Sequence, residues 1–155
     1  MQNYKEVKLD AFTVVGIAVR TINKDGKSQK DISELWNQFM YGQIAAYVPH
    51  KESDDVYCIY TDYDSNFMGE YTTILGYKVS SAANLPDGLV VKEIPVSDYR
   101  VYTCEGKIPE CVGRTWMHIW EQPDTDRAYK ADFEVYGPES QDQGEEKVFT
   151  YLSVK

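Results

Sequence analysis

The chain has 155 residues, of which 43% are hydrophobic and 14% aromatic, so it suits one packed domain and is too apolar for a disordered chain. Its net charge of −9 disfavours nucleic acid and anionic membrane surfaces as partners, because affinity for both depends on basic residues. No apolar run is long enough to span a bilayer, and the N-terminus lacks the apolar run of a signal peptide. We therefore expect a cytoplasmic protein with no direct contact to nucleic acid or membrane.

Cysteine and histidine usage predicts neither a disulfide framework nor a metal site. The three cysteines, Cys58, Cys104 and Cys111, are an odd number without a C-x-x-C pair, so we expect free thiols in a reducing compartment. The two histidines, His50 and His118, lie at no metal-ligand spacing from a cysteine or from each other. The sequence therefore predicts no metal and no cofactor.

The first half of the chain reads as a strand, a helix and a hairpin. Residues 6–20 are predicted to be extended, and Gly16 within them indicates a bulge or a close backbone approach. A helix is predicted to begin at Asp31, where Glu34 completes capping-box spacing, and to end at Pro49. Residues 56–63 and 71–79 form the predicted hairpin. The apolar face of the helix is predicted to comprise Ile32, Leu35, Trp36, Phe39, Met40, Ile44, Tyr47 and Val48.

The second half of the chain repeats this order of elements. Residues 89–105 are predicted to be extended with a bend at 95–98, and a helix follows over 108–121. Residues 131–136 and 148–154 form the second predicted hairpin. The apolar face of this helix is predicted to comprise Ile108, Val112, Trp116, Ile119 and Trp120.

The order strand, helix, strand, strand is thus written twice, which predicts an internal duplication. Trp36 and Trp116 occupy matching places in the two helices, each inside a triplet of apolar residues spaced four and four. We predict a single α+β domain over 1–155, built from two βαββ units (about 4–82 and 88–155) with pseudo-two-fold symmetry. Its sheets would be antiparallel, each half would carry one helix, and a ligand cleft would lie between the halves.

The strand at 131–136 carries the most informative carboxylate. Alternate residues of a strand share a face, so Phe133 and Val135 are predicted to pack beneath the helix, whereas Asp132, Glu134 and Tyr136 would point to the uncovered face. That face is either a solvated outer surface or an aromatic site with a buried anion. In the second case Glu134 would suit a cationic ligand, and desolvation would raise its pKa.

Aromatic residues are more numerous than a small core requires. Trp36, Trp116 and Trp120 are predicted on inward helix faces, where they would either fill the core or line a cavity. The tyrosines carry hydroxyl groups that need partners when buried, and they would form either a binding surface or its rim. The tyrosines in question are Tyr60, Tyr71, Tyr77, Tyr99, Tyr102 and Tyr136.

Five segments in this order resemble the GyrI-like small-molecule-binding family, which includes the effector-binding domains of AraC- and MerR-type regulators. They are residues 16–21 (GIAVRT), 35–39 (LWNQF), 56–63 (VYCIYTDY), 69–73 (GEYTT) and 132–136 (DFEVY). The resemblance implies two βαββ units around a hydrophobic cleft in which a glutamate contacts lipophilic cations. It also implies a stand-alone domain without a helix-turn-helix, of the kind that occurs in mobile integron cassettes. On this basis Glu134 is expected to bind the ligand, with Tyr60, Tyr99, Trp116 and Trp120 as walls. The helix and strand faces described above add Trp36 and Tyr136 to the predicted ligand-binding residues.

Three functions are compatible with these observations. The leading hypothesis is a non-catalytic module that binds cationic amphipathic compounds and acts as an effector sensor in transcription regulation. The alternative is a hydrolase of electrophilic small molecules in which Glu134 activates a water molecule. The third is an interaction module whose partner is a regulator protein.

Overall fold

Eight strands and two α-helices make up the part of the chain that the computed structural model describes, residues 4–65, 68–107, 110–123, 125–137 and 145–155. In chain order the elements are β1 (Tyr4–Leu9), β2 (Phe12–Ile22), α1 (Lys27–Tyr41), a 3-10 helix (Ile44–Tyr47), β3 (Val56–Thr61), β4 (Glu70–Val79), β5 (Val90–Ile94), β6 (Ser97–Lys107), α2 (Glu110–Glu121), β7 (Ala131–Tyr136) and β8 (Glu145–Val154). The four strands β3 to β6 thus lie between the two α-helices along the chain.

The strands form one antiparallel sheet in the order β1-β6-β8-β7-β3-β4-β2-β5. Read outwards from the pairing of β3 with β7, the two halves run β3-β4-β2-β5 and β7-β8-β6-β1, and each half carries one helix. This arrangement confirms the predicted α+β class and the antiparallel pairing.

The two long extended segments are each divided into a short and a long strand. The bend predicted at 95–98 separates β5 from β6, but the break between Leu9 and Phe12 was not predicted. It arises because β1 pairs with β6, whereas β2 pairs with β4 and β5. The chain therefore crosses from one half of the sheet to the other at this point, and local composition carries no sign of such a crossing.

Gly16 lies where two backbones approach each other closely, as the sequence predicts. It is paired with Gly76 across β2 and β4. A Cβ added to Gly16 would lie 1.9 Å from the carbonyl oxygen of Leu75, and one added to Gly76 would lie 2.3 Å from that of Val15. Only glycine fits at either position without moving a strand.

Helix α1 begins and ends earlier than predicted. It begins after Gly26, whose φ of 76° is left-handed, so Asp31 lies in the second turn and forms an ion pair with Lys27 at 2.6 Å instead of capping the helix. It ends at Gly42, seven residues before Pro49, and the 3-10 helix follows. The apolar spacing in the sequence continues past the end of the helix, because the 3-10 helix places Ile44 against the same core as α1. The predicted helix was therefore too long at this end.

Helix α2 matches its prediction more closely. The predicted first residue, Ile108, lies outside the described residues, and the helix ends at Glu121 as expected. Val112 and Ile119 are buried, whereas Trp120 at the end of the predicted face is 41% exposed.

The helices cover the sheet face that carries Glu134, so the predicted packing of Phe133 and Val135 beneath a helix is wrong. Leu35 of α1 and Val112 of α2 share one apolar core with Tyr136, whereas Phe133 belongs to a core on the opposite face. Period-two alternation shows which residues share a face but not which face a helix will cover. The core around Phe133 also includes residues of the two edge strands, Val7 of β1 and Ile94 of β5, so it extends across the whole width of the sheet.

Two of the three cysteines form a disulfide, contrary to the prediction of free thiols. Cys104 of β6 and Cys111 in the first turn of α2 are joined, with their Cα atoms 5.7 Å apart, and Cys58 is a buried free thiol. The pairing depends on where β6 and α2 lie relative to each other, which cysteine counting does not capture. Separately, neither helix in the described ranges has the length and apolarity needed to cross a membrane.

Candidate functional site

A cavity of about 480 Å³ lies between the two helices, with the sheet as its floor. Helix α1 contributes Ile32 and Trp36 to one wall, and helix α2 contributes Val112, Trp116 and Trp120 to the other. Six of the seven predicted ligand-binding residues line this cavity. They are Trp36, Tyr60, Trp116, Trp120, Glu134 and Tyr136.

Glu134 lies in the floor of the cavity and is held by three neutral donors. Its Oε2 accepts a hydrogen bond from the hydroxyl of Tyr60 at 2.8 Å and another from Nε1 of Trp116 at 2.6 Å. Its Oε1 accepts one from the hydroxyl of Tyr136 at 2.5 Å. The side chain is buried, with 1% of the residue exposed, so these three donors replace most of the water that a free carboxylate would bind.

The charge of Glu134 has no counter-ion among the described residues. None of the ion pairs formed by basic side chains in these ranges involves it. Burial raises the pKa of Glu134, while its three hydrogen bonds oppose that shift. Burial also raises the pKa values of the Tyr60 and Tyr136 hydroxyls, so both remain protonated donors at neutral pH. The carboxyl group of Glu134 is therefore held by neutral hydrogen-bond donors and forms no ion pair among the described residues.

Ring contacts hold the donors of Glu134 in place. Trp36 packs edge-on against Tyr136, with ring centroids 5.1 Å apart, and Tyr60 packs edge-on against Trp116 at 5.4 Å. Trp120 lies 6.4 Å from Trp116 in a tilted arrangement at the more exposed end of the wall. Each helix therefore supplies an indole that braces a tyrosine of the sheet, which makes the site an aromatic box with one carboxylate.

Tyr99 does not belong to this cavity, contrary to the expectation drawn from the sequence. It is fully buried on the opposite face of the sheet, where its ring lies 5.3 Å from Phe133 and 5.9 Å from Tyr151. Its position matches that of Phe12 in the first half of the chain, and both residues pack in the second core. The family resemblance therefore indicated Tyr99 as a wall of the cavity, but its side chain lies on the other face of the sheet.

A second buried carboxylate, Asp132, is fully paired. Its Oδ2 accepts hydrogen bonds from Nη2 of Arg127 at 2.8 Å and from the hydroxyl of Tyr63 at 2.6 Å. Its Oδ1 accepts two more, from the backbone N–H of Ser153 at 2.7 Å and from its hydroxyl at 2.9 Å. Asp132 and Glu134 point to the same face of β7, but only Asp132 has a cationic partner, so their roles differ.

Sequence reasoning missed several residues of the cavity. Arg127 was hidden in a polar segment between predicted elements, and nothing in its local pattern marked it as buried. Tyr63 was predicted as the last residue of a strand, and Asn23 follows the first predicted extended segment, so neither was identified as a site residue. Tyr71 was recognised only as one of many tyrosines; its hydroxyl donates to Oδ1 of Asn23 at 2.5 Å.

The chemistry available around Glu134 is limited to neutral donors. The hydrogen-bond partners of its carboxylate are two phenols and one indole, and no second carboxylate or imidazole bonds to it within the described part of the chain. In the same ranges, no three His, Cys, Asp or Glu side chains converge as a metal site would require. Such an arrangement can bind a ligand through charge and shape.

Comparison with known proteins assigns the chain to a family. Residues 7–154 match the family described as "Integron-associated effector binding protein". The chain belongs to this family. This match confirms the resemblance to effector-binding domains that the sequence carries.

Relatives of this family member extend over nearly the whole chain. The candidate transcriptional regulator YobU of Bacillus subtilis (strain 168) is 28% identical over 151 residues, which cover 95% of this chain and 94% of YobU. The integron cassette protein VCH_CASS2 from the mobile metagenome of Vibrio cholerae is 25% identical, with a TM-score of 0.78 and coverage of 99% of this chain and 97% of that one. SAV2435, solved bound to tetraphenylphosphonium, is 18% identical and shares the fold with a TM-score of 0.81. The match covers 99% of this chain and 94% of SAV2435.

Proposed function

We propose that this chain is an effector sensor that binds lipophilic cations in the cavity between α1 and α2 and returns them unchanged. The observation that carries the proposal is Glu134, a carboxylate that is 1% exposed in the cavity floor and that forms no ion pair within the described residues. A cation entering the cavity would supply the missing positive charge.

The energetic argument rests on the cost of the buried anion. Removing a carboxylate from water costs several kcal/mol, and hydrogen bonds from neutral donors offset only part of that cost. A lipophilic cation adds a Coulomb attraction that is strong because water is largely excluded. The faces of Trp36 and Trp116 attract the same cation by about 0.5–2 kcal/mol each. The site therefore favours ligands that are both positively charged and apolar.

Two further observations support this ligand class over a reaction. SAV2435, which shares the fold, was solved bound to tetraphenylphosphonium, a cation of this kind. A hydrolase would also need a group to protonate or deprotonate the leaving atoms, and the Tyr60 and Tyr136 hydroxyls have pKa values raised by burial, which makes them poor acids.

Replacing Glu134 by glutamine is expected to weaken binding of tetraphenylphosphonium by about 1–3 kcal/mol, because the charge-assisted part of the contact is lost. Isothermal titration calorimetry measures the change directly. The neutral ligand triphenylphosphine oxide should bind both forms with similar affinity.

The matched control is Glu34→Gln, which removes the same charge from an exposed position on α1 outside the cavity lining. It should leave the affinity for tetraphenylphosphonium unchanged. Equal affinity of the wild type and Glu134→Gln for tetraphenylphosphonium would contradict the proposal. Mass spectrometry of the ligand after incubation separates binding from turnover, since a hydrolase would convert an electrophilic ester analogue.

The affinity for a permanently charged cation is expected to rise with pH. Burial raises the pKa of Glu134 above 4.5 in the free protein, so the carboxyl is still protonated at pH values where an exposed glutamate is ionised. The cation favours the ionised form, so binding releases a proton between pH 4.5 and the raised pKa and strengthens across that window. Without ligand, the same group lowers the free energy of unfolding as the pH rises through the window.

Calorimetry in two buffers with different ionisation heats measures the released proton. Glu134→Gln should show neither the proton release nor the pH dependence. An affinity of the wild type that stays constant from pH 4.5 to 8 would mean that Glu134 does not titrate upon binding.

A further inference from the structure

The cavity has a second charged residue in its wall that the proposed function does not use. Arg127 lines the cavity and is only 5% exposed. Its Nη2 donates to Oδ2 of Asp132 at 2.8 Å, and its guanidinium lies over the ring of Tyr129 at 4.3 Å from the centroid. Arginine keeps its charge in such surroundings.

The ion pair of Arg127 and Asp132 is oriented with its positive end towards the cavity. Asp132 is fully buried and does not line the cavity. Its Oδ1 is turned towards β8, where it accepts both hydrogen bonds from Ser153. Of the two partners, only Arg127 lines the cavity, so a ligand in the cavity meets the arginine and not the carboxylate.

The positive and negative groups are spaced to contact one ligand. Asp132 and Glu134 are two residues apart on one face of β7, which separates their Cα atoms by roughly 6.6 Å. Since Arg127 bonds directly to Asp132, its guanidinium lies within the length of a drug-sized molecule from Glu134. The cavity is also more polar at this end, where Asn23 accepts from Tyr71 and Tyr63 donates to Asp132.

We propose that Arg127 determines specificity by selecting amphipathic cations that carry an anionic group away from the cationic centre. The positive centre of such a ligand lies against Glu134 and its acceptor group lies towards Arg127. This inference rests on the proposed function, because it takes Glu134 as the site of the cationic centre. It adds that simple lipophilic cations use only the contact with Glu134 and leave the contact with Arg127 unused.

A purely structural role for Arg127 predicts a different result. If the pair with Asp132 only stabilised the fold, its removal would weaken all ligands to the same extent. If Arg127 also recognises an acceptor group, its removal weakens only ligands that carry one.

The test compares rhodamine B, a cationic dye with a free carboxylate, with its ethyl ester, which has the same rings and cationic centre. Fluorescence anisotropy is expected to show at least fivefold tighter binding of rhodamine B to the wild type. In the double variant Arg127→Met/Asp132→Asn, which removes both charges and keeps an acceptor at position 132, the two affinities should agree within twofold. Tetraphenylphosphonium should bind this variant within threefold of the wild type.

Each outcome of this experiment either supports or overturns the role of Arg127. Equal affinities of the two dyes for the wild type, or an equal loss of all three ligands in the double variant, overturns the role of Arg127. If the double variant does not fold, Arg127→Lys replaces it. This variant keeps the charge and should retain at least half of the dye preference, and complete loss of binding to both dyes would contradict the proposal.

Glu134→Gln distinguishes the two hypotheses, because it should weaken the binding of both dyes and should leave the ratio of their affinities unchanged. No weakening of either dye would mean that the proposed function fails, whereas a missing preference with intact dependence on Glu134 would remove only the inference on Arg127.

Discussion

Replacing Asp132 by alanine is expected to lower the free energy of unfolding by about 3–5 kcal/mol, because the substitution removes the ion-pair partner of a buried cation. Arg127 and Asp132 have side chains that are 4% and 0% exposed, so water does not replace the lost carboxylate. Ser153 and Tyr63 lose their acceptor at the same time. Urea unfolding followed by tryptophan fluorescence measures the change.

The chain offers a matched control in a second arginine–aspartate pair. Arg20 and Asp64 lie 2.6 Å apart with side chains 37% and 62% exposed, and exposed pairs contribute less than about 1 kcal/mol. Asp64→Ala should therefore change the free energy of unfolding only slightly. Similar small effects of the two substitutions would show that the pair of Arg127 and Asp132 is hydrated in solution.

The substitution Gly16→Ala is expected to destabilise the protein by about 3 kcal/mol or more, because the new methyl group overlaps backbone atoms that cannot move independently. Its Cβ would lie 1.9 Å from the carbonyl oxygen of Leu75. Relief would require β2 and β4 to separate at the centre of their ladder, which breaks hydrogen bonds on both sides of Gly16 and Gly76. Thermal and urea unfolding both measure the loss.

Gly113→Ala is the matched control for the same change of side chain. Gly113 lies within α2, and a Cβ at this position meets nothing within 4 Å. Alanine favours a helix interior over glycine by up to about 1 kcal/mol, so this variant should be slightly more stable than the wild type. A Gly16→Ala variant as stable as Gly113→Ala would rule out the close approach of β2 and β4.

Both helices and most strands were predictable because their signals are local. Apolar spacing of three and four identified α1 and α2, and β-branched runs identified the strands, since both patterns follow from backbone geometry. Errors occurred where contacts between distant segments decide the structure. For example, β1 pairs with β6 and β5 pairs with β2, so each of these short strands lies in the half of the sheet that the other repeat forms. The end of α1 at Gly42 was missed because the 3-10 helix returns apolar residues to the same core.

The candidate site was predictable in its residue types and less so in its location. Alternation along β7 placed Glu134 and Tyr136 on one face, and helical spacing placed Trp36 and Trp116 at matching positions. The sequence assigned this face to the side without helices, yet the helices cover it. Tyr99 was expected in the cavity from the family resemblance, whereas its side chain lies in the core on the opposite face of the sheet.

By itself, the sequence determined which residues lie together along each helix and strand, including the carboxylate of Glu134 among aromatic neighbours. Only the tertiary structure decided that Glu134 is buried without an ion pair among the described residues, that Arg127 joins Asp132, and that Cys104 meets Cys111. The physical reason is that periodicity reports the local geometry of the backbone. Burial and pairing depend instead on the summed contacts of segments that are remote in the chain, and the order of the strands in the sheet settles which of those segments meet.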